Sequence, residues 1–359
     1  MKIIDYTSVA AKTDSFDAHE RVSLVQDEDS GLQALIAIHN TNLGPAVGGC
    51  RMFPYENIEA ALKDVLRLSR GMTYKSAVAN LPMGGGKAVI IGDPAADKSE
   101  ALLQKMGEFI DFHQGSYVTA EDSGMCVDDL KTMATKTEHV LGIAPEQRYG
   151  GDPSPLTAMG IFSGIEAAVK HKLGRSTLHG IDVAIQGAGA VGRSLTKELL
   201  GAGARVIVCD INQDNIDKAC ELGASVTSVD EIFSLPVDVF CPCAMGGILN
   251  AQTIPSIVAP IIAGGANNQL SQPADALSLH QRGTLYVPDF VINAGGIIEI
   301  CRQLKGGDES RWHAKIVGIG ATLAEVFAQS DQQDLPTSVI AEKLAESSFK
   351  QDSMNTSAA

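Results

Sequence analysis

The sequence predicts an α/β protein of two domains, the second a doubly wound parallel sheet. Three observations carry that prediction. At 359 residues the chain exceeds what one hydrophobic core supports. Strand-like and helix-like segments alternate through its second half, as parallel strands with crossover helices require. One strand-to-helix turn there reads Gly187-Ala188-Gly189-Ala190-Val191-Gly192, between an apolar run at 180–186 and a helical run at 193–200. In that setting G-x-G-x-x-G permits a tight turn, close approach of a pyrophosphate and tight strand–helix packing.

Composition narrows the function classes. The chain is 45% hydrophobic and 20% charged, and it holds no apolar run of membrane-spanning length. A formal charge of -15 opposes binding to nucleic acid, which needs clustered Lys and Arg. Residues 1–6 lack the pattern of an export signal, so a cytoplasmic location is expected. Seven cysteines are scattered without a C-x-x-C pair. Cys241 and Cys243 alone lie close, at a spacing poor for zinc, so no metal site is expected.

In chain order, residues 33–40 read as a buried strand that runs into a turn at 41–45. Residues 46–52 read as a loop, in which Gly48 and Gly49 permit close approach and Val47 and Met52 supply pocket wall or core. Asn57 caps a helix whose apolar positions Ile58, Ala61, Leu62, Val65 and Leu66 follow helical spacing, ending near Gly71. It delivers Met72 and Lys75 to the stretch Leu81-Pro82-Met83-Gly84-Gly85-Gly86-Lys87, which precedes the strand-like run 88–91.

This lysine behind three glycines is the candidate catalytic residue. The glycines are expected to free the backbone and admit a ligand. A phosphate-binding P-loop is excluded, because Leu81 and Ala88 stand where it needs glycine and a hydroxyl. Lys75 and Lys87 lie twelve residues apart and pair naturally around a carboxylate. One neutralises it, while the other, its pKa depressed by its neighbour, moves protons. Solvated on the surface, they would do neither. Asp97 and Glu100 have capping-box spacing for a helix to about residue 112, and a strand at 116–119 leads to Ala120 and Asp122. Asp122 is either a turn residue before 127–130 or an acid that exchanges a proton with a substrate amine.

Glycines and prolines at 149–155 mark a boundary. The expected domains are 1–150 and 151–330, with a C-terminal helix within about 331–359 rejoining the first and a cleft between them. A helix at 156–169 opens the second domain. Its second strand ends in Asp210, eighteen residues past Gly192, where a carboxylate accepts from ribose hydroxyls and repels a 2′-phosphate, favouring NAD over NADP. Strand-like runs follow at 237–241 and 257–262. Asparagines at 267–268 and 293 stand at expected strand ends, where amides bind nicotinamide or substrate, or simply make turns. Ile297 and Ile300 share a helix face, helices are expected at 309–326 and 337–349, and 353–359 reads as a frayed tail.

Lys75, residues 81–87, Asp122, the dinucleotide fingerprint and both asparagine sites together resemble the glutamate/leucine/phenylalanine/valine dehydrogenase superfamily, most closely its leucine dehydrogenase branch. The resemblance covers about Leu32 to Ala345. It implies an N-terminal α/β substrate and oligomerisation domain, a Rossmann NAD-binding domain and a homo-oligomer. The implied reaction is reversible, NAD-linked oxidative deamination of an L-amino acid to its 2-oxo acid and ammonia. By the same resemblance Lys87 activates water and shuttles protons, Lys75 binds the substrate carboxylate and Asp122 exchanges a proton with the substrate nitrogen. Asn268 and Asn293 contact substrate or nicotinamide, and Thr157 lies near the cofactor. The implied pocket residues Val47, Gly48, Met72, Ala120, Ile297 and Ile300 carry no charge, which suits a branched aliphatic side chain. Cys50 and Glu299 depart from the pattern, which expects threonine and a smaller polar residue. The alternatives are an aromatic amino acid as substrate, or an NAD-binding protein without catalysis.

Overall fold

A computed structural model of the chain describes residues 1–143 and 153–350. The chain forms two compact units, Met1–Gly151 with Ile300–Gly306 and Glu346–Ala359, and Asp152–Glu299 with Gly307–Ala345. The boundary expected at 150/151 and the tail at 353–359 lie outside the described residues. Of the C-terminal segment given to the first domain, the first unit holds only Glu346 onward, and it gains Ile300–Gly306.

The first unit runs β1 (Lys2–Asp5), α1 (Thr7–Ala10), β2 (Arg21–Asp27), β3 (Leu32–Asn40), β4 (Ala46–Phe53), α2 (Ile58–Val78), β5 (Gly84–Ile91), α3 (Glu100–Asp111), β6 (Tyr117–Glu121) and α4 (Val127–Ala134). Its sheet has the order β1-β2-β3-β5-β4-β6. Pairing is antiparallel from β1 through β5 and parallel from β5 through β4 to β6. Strand alternation divides the core. Leu35, Ala37 and Val89 pack against Ala61, Leu62, Val65 and Leu66 of α2. Ile36, Ile38, Ala88 and Ile90 pack with Leu102, Met106, Phe109 and Met133 of α3 and α4. Lys87 pairs with Ala37 and stands two places before Val89, so it shares the face turned to α2.

Four local expectations are corrected here. Residues 46–52 are not a loop but β4, between β5 and β6. Asn57 does cap α2, accepting from the Ala60 N–H at 2.8 Å, but the helix continues seven residues past Gly71 to Val78. A glycine inside a helix costs about 1 kcal/mol, which the burial of Thr73, Tyr74, Ser76 and Ala77 in the following turns offsets. Lys75 therefore sits in the last turn of α2. The cap of α3 is Ser99, whose hydroxyl accepts from Leu102 N–H, while Asp97 closes the preceding turn onto Asp93. Gly84, Gly85 and Gly86 belong to β5 and have ordinary negative φ.

The second unit runs α5 (Ser154–Leu173), β7 (Asp182–Gln186), α6 (Ala190–Gly201), β8 (Arg205–Cys209), α7 (Gln213–Glu221), β9 (Ser225–Val226), β10 (Val239–Pro242), β11 (Ile261–Ile262), α8 (Pro273–Gln281), β12 (Leu285–Tyr286) and α9 (Asp289–Ile292). Then come α10 (Gly295–Lys305), which enters the first unit at Ile300, α11 (Glu309–Val317), α12 (Ile319–Gln333) and α13 (Thr337–Phe349), which enters the first unit at Glu346. Its sheet is parallel throughout, in the order β12-β11-β10-β7-β8-β9. The first strand, β7, thus sits beside the fourth, which is the doubly wound order with its switch point between β7 and β10. Val183, Ala184 and Ile185 are fully buried, as in a sheet covered on both faces. The helix expected at 309–326 is two helices broken at Gly318, and Asn293 caps the end of α9 rather than ending a strand.

Candidate active site

Lys87 is only 4% exposed, and its ammonium donates to Asp122 Oδ2. Asp122 follows β6 directly, and its other oxygen, Oδ1, accepts from Nε and Nη2 of Arg51, both at 3.4 Å. Arg51 stands on β4 opposite Val89, on the α2 face with Lys87. Its Nη1 donates to Asp64 of α2 at 3.0 Å, and Tyr55 donates to the same Asp64 oxygen at 2.6 Å. The result is a relay Tyr55–Asp64–Arg51–Asp122–Lys87, drawn from β4, β5, α2 and the end of β6. Burial pushes the Lys87 ammonium down to about 7, with the charges of Arg51 and Lys75 acting in the same sense. The ion pair to Asp122 works the other way. Cys50, on the opposite face of β4, is pushed up to about 12 by burial and stays a neutral thiol.

Arg51 was not singled out in the sequence. It is the one charged residue in the eight of β4, and that isolation is the signal by which it could have been found. The turn reading of Asp122 is borne out, its backbone oxygen accepting from Met125 N–H at 3.0 Å, and it leaves the side chain on Lys87 and Arg51.

The three glycines serve the protein rather than a ligand. A Cβ on Gly84 would meet Asn40 O at 2.0 Å, on Gly85 Thr73 N at 2.0 Å, and on Gly86 the Tyr117 ring at 2.7 Å. Gly48 is as tight, with Gly86 O at 1.8 Å. The expectation that Gly84, Gly85 and Gly86 leave room for a ligand is therefore corrected: they let β3, α2 and the Tyr117 ring of β6 close onto β5. Lys75 and Met72 are half-buried on α2, while Val47, Gly48 and Ala120 are buried on β4 and β6.

Val47, Gly48, Met72, Lys75, Lys87, Ala120 and Asp122 thus belong to the first unit, as does Ile300. Thr157, the glycine loop, Asp210, Asn268, Asn293 and Ile297 belong to the second. Asn268 is exposed in a left-handed turn, φ 51°. Asn293 is buried; its amide donates to Asn267 Oδ1 at 2.8 Å and to Gly265 O at 3.2 Å, and its own Oδ1 has no hydrogen-bond partner. Ile297 is buried on α10, and Thr157 donates to Pro153 O from the first turn of α5.

At the turn after β7, Gly187 has φ 97°, a conformation that favours glycine. A Cβ on Gly192 would meet Gly187 O at 2.0 Å, whereas one on Gly189 would meet nothing within 4 Å. Helix α6 begins at Ala190, earlier than the expected Arg193, and no side chain caps it. Its first-turn amides are therefore suited to an anionic group. Asp210 follows β8, accepts from Ala188 N–H at 2.8 Å and from the Asn215 amide at 3.2 Å. An open glycine, uncapped amides, a fixed carboxylate and the orphaned Asn293 oxygen fit a dinucleotide.

The family model "Glu/Leu/Phe/Val dehydrogenase, dimerisation domain" matches residues 19–139, and "Glutamate/Leucine/Phenylalanine/Valine dehydrogenase" matches 210–304. A leucine dehydrogenase of Geobacillus stearothermophilus is 46% identical over 91% of this chain and 90% of its own. A valine dehydrogenase of Streptomyces virginiae is 43% identical over 91% and 93%. The crystal structure of L-tryptophan dehydrogenase from Nostoc punctiforme superposes with a TM-score of 0.82 at 42% identity, covering 94% of this chain and 97% of that one. Among the described residues, no helix is long and apolar enough to cross a membrane.

Proposed function

Since the chain belongs to the Glu/Leu/Phe/Val dehydrogenase family, it is an amino acid dehydrogenase that uses a nicotinamide cofactor, and we propose that it deaminates leucine, and also valine and isoleucine. The reaction is reversible and NAD-linked, giving the 2-oxo acid, ammonia and NADH. The observation that carries this reading is the buried Lys87 paired with Asp122, beside Lys75 and with no charge among Val47, Gly48, Met72 and Ala120.

In this reaction Lys75 neutralises the substrate carboxylate. Asp122 takes a proton from the substrate ammonium, and Arg51 holds that carboxylate in place. When bound, NAD supplies the acceptor for the Cα hydride. Lys87, neutral at a pH above about 7, draws a proton from water as its oxygen adds to the iminium carbon. The same amine, once protonated, returns the proton to the departing nitrogen and, neutral again, takes the hydroxyl proton as the C–N bond breaks and the carbonyl forms. Burial of Lys87 keeps bulk water from competing at this step.

We assign the cofactor to residues 187–192, Asp210, Thr157 and Asn268, with Asn293 beside the nicotinamide. Asp210 favours NAD over NADP, because a 2′-phosphate placed against a carboxylate is repelled. Residues 1–150 bind the substrate and carry the contacts of a homo-oligomer. One methylene in an apolar pocket is worth about 1–3 kcal/mol, so valine should be used more weakly but not refused. The test is kcat/KM for leucine, valine, isoleucine, phenylalanine and tryptophan under saturating NAD. Leucine should lead, and a tenfold preference for either aromatic substrate would replace the aliphatic reading with an aromatic one.

A further inference from the structure

Cys241 and Cys243 take no part in the chemistry above. Their sulfurs lie 3.6 Å apart at the end of β10, with Cys241 fully buried and Cys243 half-buried. Cys241 lies in β10 and Cys243 one residue past its end, with only Pro242 between them. We propose that this pair is an oxidation site, at which a peroxide converts two thiols to an intramolecular disulfide that alters the adjacent glycine loop.

The two sulfurs have distinct environments. Burial pushes the Cys241 thiol well up, so it keeps its proton. That S–H, donated to Cys243, draws the Cys243 thiol down. Cys243 is also the more accessible sulfur, which makes it the attacking one. Its thiolate attacks hydrogen peroxide: an S–O bond forms, the O–O bond breaks, and hydroxide leaves with a proton as water. Cys241 then attacks the sulfenic sulfur. The S–S bond forms, the S–O bond breaks, and the hydroxyl leaves with the Cys241 proton as a second water. Two thiols and one peroxide become one disulfide and two waters.

Closing from 3.6 Å to the roughly 2.05 Å of a disulfide pulls on a crowded segment. Cys243 N–H donates to Gln186 O at 2.7 Å, at the last residue of β7. A Cβ on Gly187 would lie 2.8 Å from Ala244 Cβ, so the residue after Cys243 already presses on the first glycine of the loop. Movement of Cys243 is therefore transmitted to the turn assigned to pyrophosphate. This coupling rests on the dinucleotide reading; the disulfide chemistry does not.

The experiment uses the full chain with Cys126→Ser and Cys220→Ser, which remove the exposed thiols. It is treated with limiting hydrogen peroxide, alkylated and mapped by mass spectrometry, with NADH affinity read by fluorescence. The peptide holding both cysteines should lose two hydrogens, resist alkylation and recover both labels after dithiothreitol. C241S should stop at an oxygen adduct on Cys243, and C243S should not react. NADH affinity should fall several-fold on oxidation and return on reduction. Full alkylation of both thiols, at peroxide levels that oxidise Cys220 in the parent chain, overturns the site; so does a C243S protein that reacts like its parent. A cross-link with unchanged NADH affinity overturns the coupling. Failure of the reduced chain to bind NADH overturns the dinucleotide reading and takes the coupling with it, while the mass result still decides the disulfide.

Discussion

Residues 84–87 and residues 187–192 each set three glycines beside the chemistry, and the two sets are there for different reasons. In β5 every glycine is pressed by protein: Asn40, Thr73 and the Tyr117 ring occupy the places where side chains would go. In the turn after β7 the work is divided. Gly187 takes a left-handed φ, Gly192 lets α6 close onto the loop, and Gly189 faces open space. The first set lets neighbouring elements close tightly around the strand that carries Lys87. The second leaves a backbone surface bare for a phosphate. Proton handling needs side chains held by the fold, whereas dinucleotide binding needs side chains withheld.

That division can be broken by substitution. The largest effect is expected for Lys87→Ala, which should cut kcat by about 10³ or more in the proposed deamination and leave NADH affinity unchanged. Asp122 keeps Arg51 as partner, so circular dichroism should report a folded protein. A loss of NADH binding in this variant would mean that the two regions are not separate in function. Next comes Gly192→Ala, whose Cβ would meet Gly187 O at 2.0 Å. NAD should bind at least about tenfold more weakly, a loss of 1.4 kcal/mol or more, with kcat at saturating NAD retained. A kcat loss equal to that of Lys87→Ala would contradict the division.

The third substitution sharpens the picture within the first region. In the proposed mechanism neutral Lys87 is the base, so the rate of deamination should climb as pH rises through about 7. The Arg51 guanidinium helps hold the Lys87 ammonium down. Arg51→Gln should therefore raise the Lys87 pKa and move the rising limb to higher pH, lowering the rate at pH 7 by about fivefold for the first unit moved. A pH–rate profile with its limb unmoved would reduce Arg51 to a structural ion pair.

The second unit was the more legible in sequence, because its turn is specified by neighbours in the chain. Strand, G-x-G-x-x-G, helix and a following acid all lie within residues 180–210, and the parallel order follows from their alternation. In the first unit the lysines and Asp122 were legible as residue types, but what surrounds them is set by distant chain. That Gly85 faces Thr73 and Gly48 faces Gly86 depends on how α2 and β4 close on β5, and no local pattern announces it. Propensity makes Gly71 a helix stop, whereas the buried turn at 73–77 outweighs that cost. Arg51 escaped notice because β4, with its paired glycines, lacks the alternation by which strands are recognised.

The seating of Gly85 on the Thr73 backbone has a further consequence. Here strand and helix meet main chain to main chain, so the interval between the element bearing Lys75 and the element bearing Lys87 is gauged by peptide units alone. A single methyl group added at residue 85, the register partner of Val47, would strike Thr73 and push away the helix that carries both Met72 and Lys75, so in the proposed site that one contact sets the placement of pocket wall and lysine together.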